Sequence, residues 1–389
     1  MRLCAIAFKP CWQDENGRWL SDGGHPYQMA AIGSLFDEMT LVVNRRRKPG
    51  TGGMALPAHA EIVALRSPNG ADFRRKISVV SGLPYYVRSL VRHIRRADVV
   101  HTAVPSDIGL LGIVIALVLR KKLIVRYSGS WAVTGQTTLA NRFTRMLMRT
   151  FAGGRNVMLA TGEGEAPPAP GVSWLFSTAL SESEMRNESP DFDRSLQSPP
   201  RLAYVGRLSG EKGVANLIDA FGLLDAEGFQ PLPEITLIGD GPERGSLEKR
   251  ARALPRGGMI RFAGQLDRAA LKSALARADF CVQPSLTEGF SKAWLDAFVE
   301  GLPVLASHVG AAGPVIGGKN ERGWLVPPGD VGALAAALRA VIRGPVEWPA
   351  LRRRCRAYAE GRTLEAWARA IGERCADQWK MGFADGKVR

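Results

Sequence analysis

The sequence predicts an α/β protein built from two doubly wound domains, each with a parallel sheet covered by helices on both faces. The chain has 389 residues, which is long for one ordinary domain and comfortable for two. Strand-like apolar runs alternate with helix-like segments in both halves, the pattern of parallel sheets. A polar stretch over residues 182–200, which ends in Ser-Pro-Pro, separates the two series and is typical of a linker.

The domain boundaries follow from this alternation. We expect a first domain over residues 1–180, a linker over 181–200 and a second domain over 201–360. The remaining residues, 361–389, contain a helical pattern over Leu364–Trp379, and we expect this helix to pack back toward the first domain.

Short apolar runs predict the strands of the first domain, and longer periodic segments predict its helices. The strands are Arg2–Phe8, Met39–Val43, Ile62–Leu65, Val99–Thr102 and Leu123–Tyr127, and the helices are Tyr27–Phe36, Tyr85–Arg96, Ile108–Lys121 and Leu139–Phe151. The apolar run Ile108–Leu119 is shorter than the about 20 residues that span a bilayer, so it predicts a buried helix. Met1–Phe8 lacks a basic start and predicts a first strand rather than a signal peptide.

The second domain restarts the alternation at Arg201. Its predicted strands are Leu202–Val205, Glu234–Ile238, Ile260–Ala263, Phe280–Gln283 and Val304–Ala306, and its predicted helices are Val214–Leu224, Gly245–Leu254, Asp267–Arg277, Ser291–Glu300 and Val331–Ile342. Ligands of such sheets bind outside the carboxyl ends of the strands. We therefore expect the functional residues in the loops that follow these strands.

The chain is strongly basic, with a formal net charge of +15 and a pI of about 10.0. Basic residues crowd two stretches of the N-terminal half, 45–48 and 74–96. Such charge favours an anionic partner, and we expect an anionic membrane surface or a lipid-phosphate acceptor. The alternative is a solvated, charge-rich surface. Nucleic acid is not expected as a partner, because no recognised binding module accompanies the charge.

The five cysteines are odd in number, and their spacings match no metal-ligand pattern. We expect free thiols in a reducing cytoplasm, with the protein peripheral on the inner face of the cytoplasmic membrane. A D-x-D triplet, Asp191 to Asp193, could hold a divalent metal. It lies in the expected linker with no buried strand before it, so we predict no metal site.

The loop Gly206–Gly213 follows a predicted strand and opens a helix. Its two cations, Arg207 and Lys212, lie five residues apart and suit a diphosphate, which arginine binds bidentately and lysine as a point charge. The alternative is a strand–helix turn with solvated charges. A second glycine turn, Gly239-Asp240-Gly241-Pro242, lets backbone approach a ligand, although a plain turn is equally consistent with it.

Two acids follow the strand Phe280–Gln283. Glu288 precedes a predicted helix and Asp296 lies eight residues further, about 12 Å along a helix axis. That separation suits two ends of a long ligand rather than a carboxylate pair acting on one bond. Free backbone N–H groups near Gly289, Phe290 and Ser291 would face a diphosphate. The alternative to a ligand-binding role for Glu288 is that it is simply an acid near a helix start, where the helix dipole favours negative charge. The small residues of the loop 310–313 would allow close packing of the backbone.

These motifs together resemble the retaining glycosyltransferase family 4 of the GT-B fold. The resemblance covers Leu202–Leu338 and is carried by GRLSGEKG (206–213), LIGDGPE (237–243), FAG (262–264), PSLTEGFSKAWLDAFVEGLPVLAS (284–307) and RGWLVPPGD (322–330). It implies two Rossmann-like domains that face each other across a cleft. It also implies a nucleoside-diphosphate sugar as donor substrate, a glycan or lipid-linked acceptor, and no cofactor.

The resemblance also assigns roles in the second domain. Arg207 and Lys212 would hold the donor diphosphate, and with Glu288 they form the expected catalytic set. Glu288 matches the first acid of the family's E-x7-E motif, which contacts the donor sugar, and Asp296 matches the second, which contacts ribose. Glutamate is usual at the second position, so this sequence reads E-x7-D. The remaining expected donor-binding residues are Gly206, Gly239, Gly264, Gln265, Gly289, Phe290 and Ser291.

The N-terminal half matches the family only in outline, through a strand, Gly23-Gly24, a helix and DVVHT at 98–102. Family members often carry a histidine after a strand near the reacting sugar. Here that stretch reads VRYSGSW (125–131) without histidine. The alternatives are Tyr127, Ser128 or Arg126 in its place, or His101 in the preceding strand.

We therefore expect a retaining, metal-independent glycosyltransferase of bacterial-type polysaccharide, lipopolysaccharide or glycolipid assembly. One alternative is a catalytically inactive sugar-nucleotide-binding or scaffold protein. A nicotinamide-dependent dehydrogenase would need G-x-G-x-x-G, and Arg244 occupies the third glycine position after Gly239 and Gly241.

Overall fold

The computed structural model describes residues 1–46, 53–68, 78–131, 137–187, 190–318 and 321–389. They divide into two compact units. The first comprises residues 1–179 together with 364–389, and the second comprises residues 180–363. Each unit has its own parallel sheet and its own buried core, which confirms the predicted fold class.

The strands of the first unit are β1 (Arg2–Gln13), β2 (Trp19–Ser21), β3 (Glu38–Arg45), β4 (Met54–Ala55), β5 (Ala60–Arg66), β6 (Val99–Val104), β7 (Lys122–Tyr127), β8 (Asn156–Thr161) and β9 (Val172–Leu175). Parallel pairing gives the order β5-β3-β1-β6-β7-β8-β9, while β2 and β4 extend the end of β1 as antiparallel strands. The strand order reverses between β1 and β6, so this sheet has its switch point there.

Helices cover both faces of this sheet. They are α1 (His25–Gly33), α2 (Leu83–Arg96), α3 (Asp107–Val118), α4 (Leu139–Thr150) and, at the end of the chain, α13 (Leu364–Trp379). The helices α1 and α13 bury Ile32 and Trp367 in one core cluster. The helices α2, α3 and α4 bury Leu90, Ile113 and Met148 in another, which includes the opposite side chains of the same strands. The chain ends in a short antiparallel pair, β16 (Phe383–Ala384) and β17 (Lys387–Val388).

The second unit is built on a six-stranded parallel sheet. Its strands are β10 (Arg201–Val205), β11 (Glu234–Ile238), β12 (Ile260–Gly264), β13 (Phe280–Gln283), β14 (Val304–Ser307) and β15 (Gly323–Val326). Their order is β12-β11-β10-β13-β14-β15, which is the Rossmann order 3-2-1-4-5-6. The chain direction across the sheet reverses between β10 and β13, so the crevice of this sheet lies at their carboxyl ends.

The helices of the second unit are α5 (Glu182–Asn187), α6 (Val214–Ala226), α7 (Arg244–Arg252), α8 (Arg268–Ala276), α9 (Lys292–Val299), α10 (Ala312–Ile316), α11 (Val331–Arg343) and α12 (Trp348–Glu360). Side-chain caps fix two of the starts: Asp267 accepts a hydrogen bond from the Ala270 N–H, and Asp330 accepts one from Ala333. Tyr204, Phe221 and Phe280 lie at the centre of the core.

The structure adds elements that the sequence pattern did not predict. They include β8, β9 and β15, whose apolar runs are short, and α12, whose run of arginines interrupts the apolar pattern. The stretch expected as a linker also carries structure. It contains α5, and Arg352 donates to the backbone carbonyls of Phe192 and Arg194. Among the described residues, no helix is both long enough and apolar enough to cross a membrane.

Candidate functional site

The loops that follow β10 and β13 lie side by side at the switch point of the second sheet. The Leu286 N–H donates to the Glu211 carbonyl at 2.8 Å, which ties the two loops together. Gly213 lies at φ +63°, and a Cβ at this position would be 2.1 Å from the Pro284 carbonyl oxygen. Only glycine permits this approach, so the glycine of the first loop is required for the assembly of the site.

Lys212 and Glu288 meet in this crevice although 76 residues separate them. Lys212 ends a 3₁₀ turn over Gly210–Lys212, and its Nζ donates to Glu288 Oε2 at 2.5 Å. The two side chains are 23% and 14% exposed, so both remain open to a ligand on one side. The structure thus brings together the expected diphosphate cation and the expected sugar-binding acid.

The loop after β14 holds the backbone of Glu288 in place. The Ala311 N–H donates to the Gly289 carbonyl at 2.9 Å. Gly310 lies at φ +56°, and a Cβ there would be 2.0 Å from the Glu288 carbonyl oxygen. The small-residue loop expected at 310–313 therefore packs directly beneath the acid.

The glycine turn after β11 supports the loop that carries Arg207. The Leu208 N–H donates to the Asp240 carbonyl at 3.0 Å, and the Gly206 N–H donates to the Ile238 carbonyl at 2.9 Å. Next to them, the Gly239 N–H donates to the Gly264 carbonyl at 2.8 Å. The three expected glycines, Gly206, Gly239 and Gly264, thus lie along one edge of the sheet.

Arg207 and Gln265 are exposed beside these glycines. The Arg207 backbone carbonyl is fixed, because it accepts a hydrogen bond from the hydroxyl of buried Tyr204 at 2.9 Å. Its guanidinium forms no ion pair with another residue in the described part of the chain. Burial, together with the nearby Glu288 and Glu211 carboxylates, raises the pKa of Tyr204, so its hydroxyl remains a hydrogen-bond donor at neutral pH.

Asp296 lies on α9 and is held by an arginine that the sequence pattern did not single out. Arg268, the first residue of α8, donates from Nη1 to Asp296 Oδ1 at 2.5 Å and from Nε to Glu184 Oε1 at 2.6 Å. The pKa of Glu184 is lowered: burial acts to raise it, and hydrogen bonds from Arg268 and Ser181 outweigh that effect. One guanidinium therefore joins α5, α8 and α9. No spacing rule could have revealed this triad, because its members are 84 and 28 residues apart.

One local expectation about these acids is corrected. Glu288 lies in the loop, and the helix begins at Lys292 after the N-cap Ser291, so the helical rise does not set the separation of Glu288 and Asp296. The ring of Phe290 packs into the core, and the expectation that its backbone N–H group faces a diphosphate stays a prediction. The ring is 6% exposed and packs against Trp294 at 5.7 Å between centroids.

The histidine candidate of the first unit, His101, lies on β6 and is fully buried. Neither ring nitrogen has a hydrogen-bond partner among the described residues. Burial lowers its pKa well below the usual value, and the neighbouring Arg126 and His25 lower it further. Burial also lowers the pKa of Arg126 to about 10. A ring enclosed in this way cannot touch a substrate, so His101 is corrected to a core residue.

The other candidates of the first unit differ in exposure. Tyr127 is buried and packs edge-on against Trp131 at 5.4 Å, so its ring belongs to the core. Ser128 is exposed at the end of β7 and accepts a hydrogen bond from Arg126 Nη1 at 3.3 Å. Gly23 and Gly24 precede α1, and Gly23 lies at φ +67° with open space around it. Ser128 and the glycines remain accessible to a ligand.

The D-x-D triplet forms protein contacts. The Asp193 N–H donates to Asp191 Oδ1 at 3.0 Å, and Arg353 donates to both carboxylate oxygens of Asp193. Within the described ranges, no group of three or more acids, histidines or cysteines could hold a metal. All five cysteines are free and buried.

Comparison with known proteins gives the second unit a family. Residues 186–362 match the family model described as glycosyl transferases group 1. The chain is 38% identical to glycogen synthase of Mycobacterium tuberculosis over 173 residues, which is 44% of this chain and 40% of that protein. It is 32% identical to the amylovoran biosynthesis glycosyltransferase AmsK of Erwinia amylovora over 160 residues, which is 39% of this chain and 38% of that protein. The chain thus spans about two fifths of these curated relatives.

A solved structure extends the likeness to nearly the whole chain. Alr3699/HepE of Anabaena, solved in complex with UDP-glucose, superposes with a TM-score of 0.70 at 17% identity. The match covers 97% of this chain and all of that one. At this identity the likeness concerns the fold. The second unit is therefore a glycosyl transferases group 1 domain, in a chain of GT-B fold.

Proposed function

We propose that this protein is a retaining glycosyltransferase that moves a sugar from a nucleoside-diphosphate sugar to an acceptor hydroxyl. The contact between Lys212 and Glu288 at the switch point of the second sheet carries the proposal. Open α/β sheets bind their ligands at this point, and here it offers a cation for a diphosphate beside an acid for sugar hydroxyls. The group 1 match over the same residues supports the reading.

The proposed diphosphate site combines two cations of different character. Lys212 Nζ has three N–H donors, of which the Glu288 contact uses one and leaves two for phosphate oxygens. Arg207 is exposed and can bind a phosphate through two parallel hydrogen bonds. Both cations stabilise the negative charge that develops on the leaving diphosphate, and preorganised charge of this kind supplies a large part of many rate enhancements.

The two acids would bind the two ends of the donor. Glu288 accepts hydrogen bonds from the hydroxyls of the transferred sugar, and Asp296 accepts them from the ribose. Arg268 donates a hydrogen bond to Asp296 Oδ1, which orients the carboxylate. We propose that the remaining donor-binding residues are Gly206, Gly239, Gly264, Gln265, Gly289, Phe290, through its backbone, and Ser291.

Transfer with retention requires the new bond to form on the face from which the diphosphate leaves. The bond between the anomeric carbon and the phosphate oxygen breaks, and its electron pair stays with the diphosphate. The bond between the anomeric carbon and the acceptor oxygen forms, and the acceptor proton passes to a leaving phosphate oxygen. The chain then supplies charge stabilisation rather than a covalent nucleophile. We propose that no metal takes part, because Lys212 and Arg207 supply the positive charge that a metal would otherwise supply to the diphosphate.

We further propose that the first unit binds the acceptor, with Gly23, Gly24 and Ser128 as its accessible candidates. The acceptor is a glycan or a lipid-linked sugar of bacterial-type polysaccharide, lipopolysaccharide or glycolipid assembly. We place the protein in the cytoplasm, peripheral on the inner face of the membrane, because its N-terminal half is rich in basic residues. Of the two basic stretches, Arg47, Lys48, Arg74, Arg75 and Lys76 lie outside the described residues.

The test is release of nucleoside diphosphate from a panel of UDP-, GDP- and ADP-sugars by the purified chain, with and without acceptor extracts. We expect one donor to raise the melting temperature and to be turned over. Lys212→Ala should abolish turnover, whereas Lys249→Ala, an exposed lysine on α7, should not. Binding of a sugar nucleotide without turnover or product would identify the alternative, an inactive sugar-nucleotide-binding protein.

A further inference from the structure

The exposed apolar side chains of this protein gather on one layer of the first unit. Of the twelve large hydrophobic residues that are exposed in the described chain, eight lie on or directly after α2, α3 and α4, and a ninth, Val80, lies three residues before α2. They are Val80, Leu83, Tyr85, Val114, Val118, Leu139, Phe143, Met146 and Phe151. These three helices cover the same face of the sheet, since each buries its inner side chains in the same cluster. We call their outward surface the α2–α4 layer.

The helix α4 presents an apolar stripe to the outside. Leu139, Phe143 and Met146 are spaced four and three residues apart, so they lie on one side of the helix, and they are 82%, 45% and 51% exposed. The opposite side buries Thr144 and Met148 against the sheet. A surface helix of a globular protein normally turns its polar side outward, so α4 carries a second apolar side that the first unit leaves uncovered.

The same layer is basic and contains almost no acid. The helices α2 and α4 have no aspartate or glutamate, and α3 has one, at its first residue. Six arginines of α2 and α4 are exposed and form no ion pair with another described residue: Arg88, Arg92, Arg95, Arg96, Arg142 and Arg149. The layer therefore combines apolar side chains with uncompensated positive charge.

This combination identifies the partner. A second copy of the chain would set like charges against each other, because a two-fold interface brings the same patch of both subunits together. An anionic bilayer satisfies both features: headgroup phosphates neutralise the arginines, and the apolar side chains enter the acyl boundary between them. A bilayer also needs no shape complementarity, which suits side chains spread over three helices.

We propose that the α2–α4 layer docks on an anionic lipid bilayer, with Leu139, Phe143 and Met146 of α4 inserted and the arginines of α2 on the headgroups. The inference rests on the membrane location proposed above and is independent of the transfer reaction. Salt screens binding that rests on charge attraction alone. Inserted apolar side chains add binding that salt does not screen, so this proposal goes beyond charge attraction.

The first experiment measures co-sedimentation of the whole chain with vesicles of phosphatidylcholine alone or mixed with phosphatidylglycerol, at low and high salt. We expect binding to the anionic vesicles that falls with salt but persists in part. The double variant Phe143→Ser/Met146→Ser should lower partitioning by about tenfold or more and remove the salt-resistant part. Leu223→Ser, on an exposed apolar residue of the second unit, is the matched control and should bind as the unchanged chain does.

The second experiment reports insertion directly. The five native thiols are buried, so a polarity-sensitive dye can be attached to Met146→Cys and, as control, to Leu223→Cys. On addition of anionic vesicles, only the dye at position 146 should shift its emission to the blue. If the unchanged chain binds no anionic vesicles, the location and the inference both fail. If it binds, but the double variant binds equally well and neither dye shifts, this inference alone is overturned.

Discussion

Lys212 Nζ and Glu288 Oε2 form an ion pair at 2.5 Å that joins the loop after β10 to the loop after β13. The pair crosses the switch point of the second sheet, where the two loops leave adjacent strands. Both side chains are partly buried, and each retains hydrogen-bonding capacity for a ligand. The pair therefore orients the two groups before any donor is bound.

This relationship separates Lys212 from Arg207, although both are proposed to bind the diphosphate. Arg207→Ala and Lys212→Ala should each weaken donor binding by about 1.5–3 kcal/mol, the range for hydrogen bonds to charged groups. Only Lys212→Ala should also lower stability, by roughly 1–3 kcal/mol, because it leaves the Glu288 carboxylate without its partner. Calorimetry of nucleotide binding and chemical denaturation measure the two effects. Unchanged donor affinity in both variants would contradict the diphosphate assignment.

The two acids should perform different tasks. Glu288→Gln should chiefly lower turnover and change the preference between donor sugars, because its proposed partner is the transferred sugar. Asp296→Asn should chiefly weaken binding of free nucleoside diphosphate, because its proposed partner is ribose. Asp296→Glu keeps the charge and should retain binding. Nucleotide affinity and donor turnover are measured side by side, and identical profiles for Glu288→Gln and Asp296→Asn would refute the division.

Arg268 should act through Asp296. Arg268→Gln removes the cation that orients the Asp296 carboxylate. It should therefore weaken the binding of free nucleoside diphosphate, as Asp296→Asn does. The double variant should cost less than the sum of the single variants, with a coupling energy of about 0.5–3 kcal/mol. Glu184→Gln is the matched control, because it removes the other partner of Arg268 and leaves the Asp296 contact in place. Strict additivity between positions 268 and 296 would show that Arg268 serves stability alone.

Activity should not depend on a divalent metal. The D-x-D triplet is engaged by Arg353 and by its own backbone, and the proposed site has two cations of its own. We expect turnover to survive excess EDTA, and Asp193→Asn to leave turnover unchanged. Turnover lost in chelator and restored by Mg²⁺ or Mn²⁺ would overturn this expectation.

His101 should make stability depend on pH. Burial holds its folded pKa well below the value of 6.5 that applies to the unfolded chain. Below pH 6.5 the unfolded state therefore binds the additional proton, and stability falls as the pH falls, by up to about 1.4 kcal/mol per pH unit. His101→Leu should remove this contribution, whereas the exposed His308→Gln should not. Denaturation midpoints between pH 5 and 7 give the comparison, and equal slopes for His101→Leu and the unchanged chain would contradict it.

The sequence by itself determined the fold class and much of the second sheet. The strands Glu234–Ile238 and Phe280–Gln283 and the helix Leu364–Trp379 were predicted with the bounds that the structure has. Apolar runs of this length, bounded by glycine and polar residues, define a strand or helix locally. The motif spacing likewise indicated the loops that meet at the switch point, since parallel strands place their following loops at one edge.

Only the tertiary structure decided which side chains meet and which are enclosed. Arg268 reaches Asp296 and Glu184 because three helices converge, and no local pattern encodes that convergence. The periodicity of α4 shows an apolar stripe but does not tell whether the stripe faces the sheet or the outside. His101 is a polar residue in a strand, and only the packing of α1 and α13 over that face makes it a core residue. Contacts of this kind depend on the long-range arrangement of helices and strands. The sequence specifies that arrangement only through the combined packing of all these elements.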